Sequence, residues 1–296
     1  MTFGISTHLF HGQRLERRHL ETIKSHGFDL IEIFATRTHF DYRDRTRVAE
    51  LQGWLRDLGM TANSVHAPIC DGFHDGQWGR AFSNASSQTA SRQEAIAETT
   101  AGLDAARELG CAFVVLHLGL PRGQTIPAGD NDPGAMRRSL ETLAEAASAA
   151  GVRLALEVIP NDLSTPAALA DLLGGDLELD DAGICLDFGH AHMMSGAPEA
   201  AETLAGYLIT THVHDNNGRS DDHLVPFAGT IDWTTTLMAM GKVGYAGPLI
   251  FEVADHGDAP GVLTRTVGAR RRLQAILEDL ARPMDFEGAA RESVEN

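Results

Sequence analysis

The sequence predicts an α/β protein built as a single (βα)8 TIM barrel, and three observations carry that prediction. Eight short apolar runs alternate with eight longer amphipathic segments along the 296 residues, so the hydrophobic period switches repeatedly between strand and helix. Short buried strands separated by helices pair in parallel through right-handed crossovers. Eight such units in a chain of this length close into a barrel. Most of the apolar runs also end on a carboxylate or an imidazole, at the rim where such a barrel gathers its functional side chains.

The elements follow in order. Strands are read at 2–8, 29–34, 61–66, 112–117, 152–157, 182–187, 207–213 and 248–252. Helices fall between and after them at 14–26, 44–58, 87–109, 133–150, 165–174, 198–206, 232–241 and 262–281. Leu109-Gly110 and Ala150-Gly151 read as helix ends, with glycine where a left-handed residue is needed. Thr165-Pro166 places proline early in a helix behind a capping hydroxyl. The loops at 67–86 and 118–132 are rich in Gly, Pro and Asp, and are long enough to shape a pocket or lid. The barrel is expected to span 1–281, with a polar, acidic, poorly ordered tail at 282–296.

Composition sets the class. A hydrophobic fraction of 43% and a charged fraction of 22% are those of a soluble globular protein with a sizeable core. The 24 basic residues are outnumbered by 41 acidic ones, for a net charge of −17, which argues against broad nucleic-acid or anionic-membrane binding. No apolar stretch reaches the length needed to span a bilayer, and the chain enters a strand at once, without a charged-then-apolar leader. Cys70, Cys111 and Cys185 form an odd, sparse set without CxxC spacing, as expected of free thiols in a reducing compartment. The cytoplasm is the expected location.

Nine residues with metal-binding side chains stand at or just past predicted strand ends: His66, His117, Glu157, Asp187, His190, His212, Asp221, His223 and Glu252. Gathering them at one mouth without a cation would be costly, because like charges repel and desolvated charges need partners. A divalent cation resolves that cost. Glu157 and Glu252 end the fifth and eighth strands, on different sides of the mouth. Asp187 ends the sixth, and Gly189 suits a tight turn that swings His190 back over the site. His212 and His214 point to one face of the seventh strand. His8 ends the first strand and is a candidate substrate contact. Arg37 and Arg43, after the second strand, are candidates to hold a phosphate or carboxylate of a small substrate. Nitrogen and oxygen donors without thiolate suit Zn2+ or Mn2+, with Co2+, Fe2+ and Mg2+ as alternatives.

At these positions the chain resembles the xylose-isomerase-like barrel superfamily, also called the abasic-site endonuclease family 2, which includes sugar phosphate isomerase/epimerase-like members. The resemblance covers nearly the whole chain and is most specific from 152 to 252. It implies that Glu157, Asp187 (in Ile184-Cys185-Leu186-Asp187-Phe188-Gly189-His190), His212 (in His212-Val213-His214-Asp215) and Glu252 match the four metal ligands of the sugar epimerases and isomerases. His212 is favoured over His214 because Asp215 falls three residues after it, as in the family pattern. His66 (in Val65-His66-Ala67), His117 (in Leu116-His117-Leu118-Gly119), His190, Asp221 and His223 have counterparts in the trinuclear zinc endonucleases. With His214, they are possible further metal or substrate contacts. The endonuclease pattern has Asn where this chain has His214, and a small-residue–Lys pair where it has Asn216-Asn217, which weakens a DNA-repair reading. Gly229-Thr230-Ile231-Asp232-Trp233 resembles the stretch before the seventh helix of sugar isomerase-like members.

The implied activity is a divalent-metal-dependent isomerisation or epimerisation of a sugar or related polyhydroxy carbonyl compound, by proton transfer through a metal-stabilised enediolate. Glu157 and Glu252 would serve as base and acid from opposite sides, and His190 would orient a substrate oxygen. Two alternatives use the same donors: a lyase or dehydratase on a small sugar-like substrate, and a trinuclear-zinc abasic-site endonuclease. Duplex binding by the latter would rely on Lys and Arg neutralising phosphates, against the net charge. The expected partner is therefore a small sugar-like molecule, with neither nucleic acid nor membrane, and barrels of this kind often pair as homo-oligomers.

Overall fold

In a computed structural model, the predicted runs become β1 (Phe3–Ser6), β2 (Leu30–Phe34) and β3 (Thr61–His66), then a small hairpin of β4 (Phe73–His74) and β5 (Gln77–Trp78). Next come β6 (Phe113–Leu116), β7 (Arg153–Glu157), β8 (Gly183–Asp187), β9 (Leu208–Val213) and β10 (Leu249–Phe251). The helices are α1 (Arg17–Ser25), α2 (Arg45–Leu58), α3 (Thr89–Leu109), α4 (Pro133–Ala150), α5 (Pro166–Leu173), α6 (Phe188–His192), α7 (Ala197–Thr203), α8 (Trp233–Lys242) and α9 (Ala259–Ala281). The structure describes residues 1–282 except 123–126, 128, 176, 178, 180 and 256. From 283 onward the expected tail lies outside the described residues, as does part of the 118–132 loop. Eight strands close a parallel barrel in the order β1-β10-β9-β8-β7-β6-β3-β2. Among the described residues, no helix is long and apolar enough to cross a membrane.

Strand alternation explains both the core and the site. Val114, Leu116, Leu154, Leu156, Ile184 and Leu186 face outward into the main apolar cluster shared with the helices. Val115, Ala155 and Cys185 form a smaller cluster of their own, consistent with the inward face of the same strands. Two residues beyond Ala155 and Cys185, on that same face, stand Glu157 and Asp187. The pleat that fills the barrel therefore also delivers its rim donors.

Local chemistry ends the helices as expected. Gly110 and Gly151 adopt left-handed φ of 74° and 66°, and their N–H groups close the last turns of α3 and α4. The Thr165 hydroxyl accepts the Ala168 N–H ahead of α5, with Pro166 in its first turn.

Three features depart from the sequence expectations. The first strand stops at Ser6, whose hydroxyl accepts the His8 N–H and starts a short 3-10 turn over Thr7–Phe10. The 67–86 loop folds into the β4–β5 hairpin, because Asp75 and Gly76 supply consecutive positive φ of 50° and 78°, the conformation that Asp-Gly favours in a two-residue turn. Asp187-Phe188-Gly189-His190 opens α6 instead of a tight turn: the Asp187 carboxylate accepts the His190 N–H at 2.7 Å and caps that helix.

Candidate metal centre

Glu157, Asp187, His212 and Glu252 converge at the barrel rim, each offering a donor atom within 4.8 Å of the others. Barrel register brings them there: Asp187 pairs with His212 across β8 and β9, and His212 with Ile250 across β9 and β10. All four are buried. His212 Nδ1 lies 3.2 Å from Glu157, 3.6 Å from Asp187 and 3.4 Å from Glu252. Three desolvated carboxylates around one imidazole nitrogen are not balanced by a single proton. Among the described residues, their ion-pair partners are all histidines. An oxygen and nitrogen donor set of this kind, with no thiolate, fits a divalent cation.

Further donors flank it. His66 and His117 reach Glu157 at 3.2 and 2.9 Å, and His190 and His223 reach Asp221 at 3.2 and 3.1 Å. His66, His190 and His223 each donate their Nδ1–H to a backbone carbonyl, of Ala67, Val158 and Glu252 respectively. For His66 and His223 that leaves Nε2 to face Glu157 and Asp221, whereas the His190 Nδ1 also lies 3.4 Å from both Glu157 and Asp187. His214 is fully buried, with its ring stacked 4.2 Å from that of His223 and its Nε2 3.0 Å from Asp187. It joins two groups, one with Asp187 and His190 and one with Asp221 and His223, but not the four-residue group.

The electrostatics follow from burial set against pairing. Burial alone would raise the Glu157 carboxyl, but the charges of His117 and His212 outweigh it and hold it well below the usual range. Asp187 is depressed likewise, with His190 and His214 overcoming its burial. Burial lowers the imidazoles, yet Glu157 lifts His66 to about 8 and Asp221 lifts His223 to about 10. His8, buried and facing His223, is pushed well below its ordinary value.

Above these groups lies a cavity of about 400 Å3. Glu157, Glu252, His66, His117, His190 and His223 line its floor, while His8, His11, Phe34 and Trp78 form an aromatic wall. The His8 and His11 rings stack at 4.7 Å, and His11 and Trp78 at 4.8 Å. The hairpin thus holds Trp78, 40% exposed, over the mouth. Asp215 anchors the loop that carries Asp221 and His223: its carboxylate accepts N–H bonds from Asn216, Phe227, Ile231 and the Trp233 indole.

Arg37 and Arg43 stand elsewhere. Both pair with the buried Glu98 of α3, which also accepts from the Tyr42 hydroxyl, and neither lines the cavity. The sequence reading passed over Glu32. It is fully buried on β2, and its carboxylate accepts from Ser64 at 2.8 Å and His212 at 3.2 Å. A charged residue in the middle of Leu30-Ile31-Glu32-Ile33-Phe34 was the available signal.

The sequence profile described as the xylose isomerase-like TIM barrel matches residues 20–278. An uncharacterized protein of Methanocaldococcus jannaschii is 29% identical over 270 residues, covering 88% of this chain and 86% of its own length. Among solved structures, a D-tagatose 3-epimerase-like protein superposes with a TM-score of 0.76 at 24% identity, covering 95% of this chain and 100% of that one. The IOLI protein, solved with a binding zinc atom, gives a TM-score of 0.72 at 18% identity over 96% of this chain and 100% of its own. Likeness at these identities establishes the fold. The profile match, which spans most of the sequence, establishes the kinship: this chain belongs to the xylose isomerase-like TIM barrel family.

Proposed function

We propose that the protein is a divalent-metal-dependent isomerase or epimerase of a sugar or related polyhydroxy carbonyl compound. The observation that carries this reading is the buried group of Glu157, Asp187, His212 and Glu252, two of whose carboxylates open into the cavity. These four would hold the ion. Mn2+ or Zn2+ suits their donors best, with Co2+, Fe2+ and Mg2+ as alternatives. When bound, the ion supplies Lewis-acid polarisation of a carbonyl and its neighbouring hydroxyl.

The remaining work belongs to side chains. Glu157 and Glu252 take a proton from one carbon face and return one, as base and acid. His66 and His117 donate to Glu157 Oε2 and so favour its ionised form. His190, held by its Nδ1–H bond to Val158, orients a substrate oxygen. His8 and Trp78 wall the cavity and limit water around the reacting carbons. The sugar-epimerase likeness of the structural relatives supports this substrate class, and the three buried free thiols suit the reducing cytoplasm. The test is a panel of free ketoses incubated in D2O with Mn2+-loaded protein. Carbon-bound deuterium and a new epimer or aldose are expected, and a panel without exchange would remove the reading.

A second reading rests on the further donor groups, which draw in His66, His117, His190, His214, Asp221 and His223 and give the chain enough ligands for several ions. Multi-ion clusters hydrolyse phosphodiesters. Three tightly held zinc ions per chain, together with cleavage of abasic-site DNA, would favour it.

A further inference from the structure

We propose that Glu32 is a positioning residue: it accepts the Nε2–H of His212 and so presents the Nδ1 lone pair of that ring to the cation site. The inference rests on reading the four-residue group as that site, and it concerns how one of its members is aimed.

The geometry separates the two ring nitrogens cleanly. Nδ1 faces Glu157, Asp187 and Glu252, whereas Nε2 lies 3.2 Å from Glu32 Oε2, on the other edge of the ring. His66, His190 and His223 take their orienting acceptor from backbone carbonyls. His212 takes its acceptor from a side chain. A ligand imidazole whose other N–H meets a carboxylate is fixed in tautomer and angle, and its donor nitrogen gains basicity.

The barrel carries features that place this pair. The β2–β3 register skips Asn63, pairing Ile31 with Ala62 and Glu32 with Ser64. The β8–β9 register skips Ile209, pairing Cys185 with Thr210 and Asp187 with His212. Such bulges re-aim side chains. Asn63 then donates to the Ser64 hydroxyl at 3.2 Å, and that hydroxyl donates to Glu32 at 2.8 Å. A relay of Asn63, Ser64 and Glu32 therefore ends on His212. Its other oxygen, Oε1, is buried without a partner among the described residues, a cost that a residue kept for stability alone would not carry.

The test compares wild type, Glu32→Leu and Glu32→Gln after chelator treatment, titrating each with Mn2+ and recording 15N-histidine spectra of the Zn2+-loaded forms. Glu32→Leu is expected to weaken Mn2+ binding about 10–100-fold, while Glu32→Gln, which keeps an acceptor oxygen, loses less than about tenfold. The Zn2+-loaded wild type is expected to show His212 protonated at Nε2 alone, a signature lost in Glu32→Leu. Should Glu32→Leu fail to fold, Ser64→Ala takes its place, with an expected loss below the roughly 10–100-fold of a direct partner, and wild-type affinity there overturns the role of Glu32. Wild-type affinity in Glu32→Leu, or equal losses in the Leu and Gln variants, overturns the role of Glu32 while leaving the site standing. A wild type that takes up neither Mn2+ nor Zn2+ overturns the site itself.

Discussion

His214 sets its Nε2 3.0 Å from Asp187, and Asp187 thus stands in two donor groups, one with His190 and His214 and one with Glu157, His212 and Glu252. His212 lies on β9 and His214 one residue past its end, and the register of β8 against β9 decides between them by pairing Asp187 with His212. His212→Ala and Asp187→Ala are therefore expected to lower bound metal by elemental analysis, while His214→Ala retains the ion of the four-residue site. Retained metal in His212→Ala with loss in His214→Ala would reverse the assignment.

Glu157 and Glu252 differ from Asp187 and His212 in opening onto the cavity. Glu157→Gln and Glu252→Gln are expected to give folded protein whose deuterium-exchange rate falls by about 100-fold or more, the usual scale of lost acid–base assistance. Near-normal exchange in either variant would remove that carboxylate from proton transfer.

Gly189 faces the His214 ring so closely that any Cβ there would overlap its atoms. Gly189→Ala should cost about 1–3 kcal/mol through overpacking, read as a lower urea midpoint. An unchanged midpoint would mean that His214 is free to move.

His39 offers a pH test away from the metal centre. Its ring is buried, donates to the Gln13 carbonyl, and is pushed down to about 4 by burial. The unfolded chain titrates near 6.5, so between about pH 6.5 and 4 it binds the extra proton. Stability from neutral His39 is complete above that window and is lost as pH falls through it. His39→Asn keeps a donor for Gln13 and removes the titration. Its acid limb should be shallower by up to about 1.4 kcal/mol per pH unit, and parallel limbs for the two proteins would refute the assignment.

The barrel was legible because its eight strands are short, apolar and bounded by turn chemistry, and most of the nine donors stand at or near their ends. What escaped was contact across the sheet. Glu32 is a lone charge on its strand, and its meaning comes from His212, 180 residues away. Arg37 and Arg43 read as anion binders because Glu98, their partner, sits on a helix whose inward face the sequence does not label. The α6 cap was hidden because Asp187 has two uses, rim donor and helix starter. The hairpin was within reach, since Asp75-Gly76 is itself a strong turn signal.

Asp215 gathers donors from both margins of the segment it anchors, Asn216 at one edge and Ile231 and Trp233 at the other. The segment is cinched at its base like a drawstring bag. Because the same segment carries Asp221 and His223 to the cavity, loosening the knot of Asp215 and Trp233 would displace both at once.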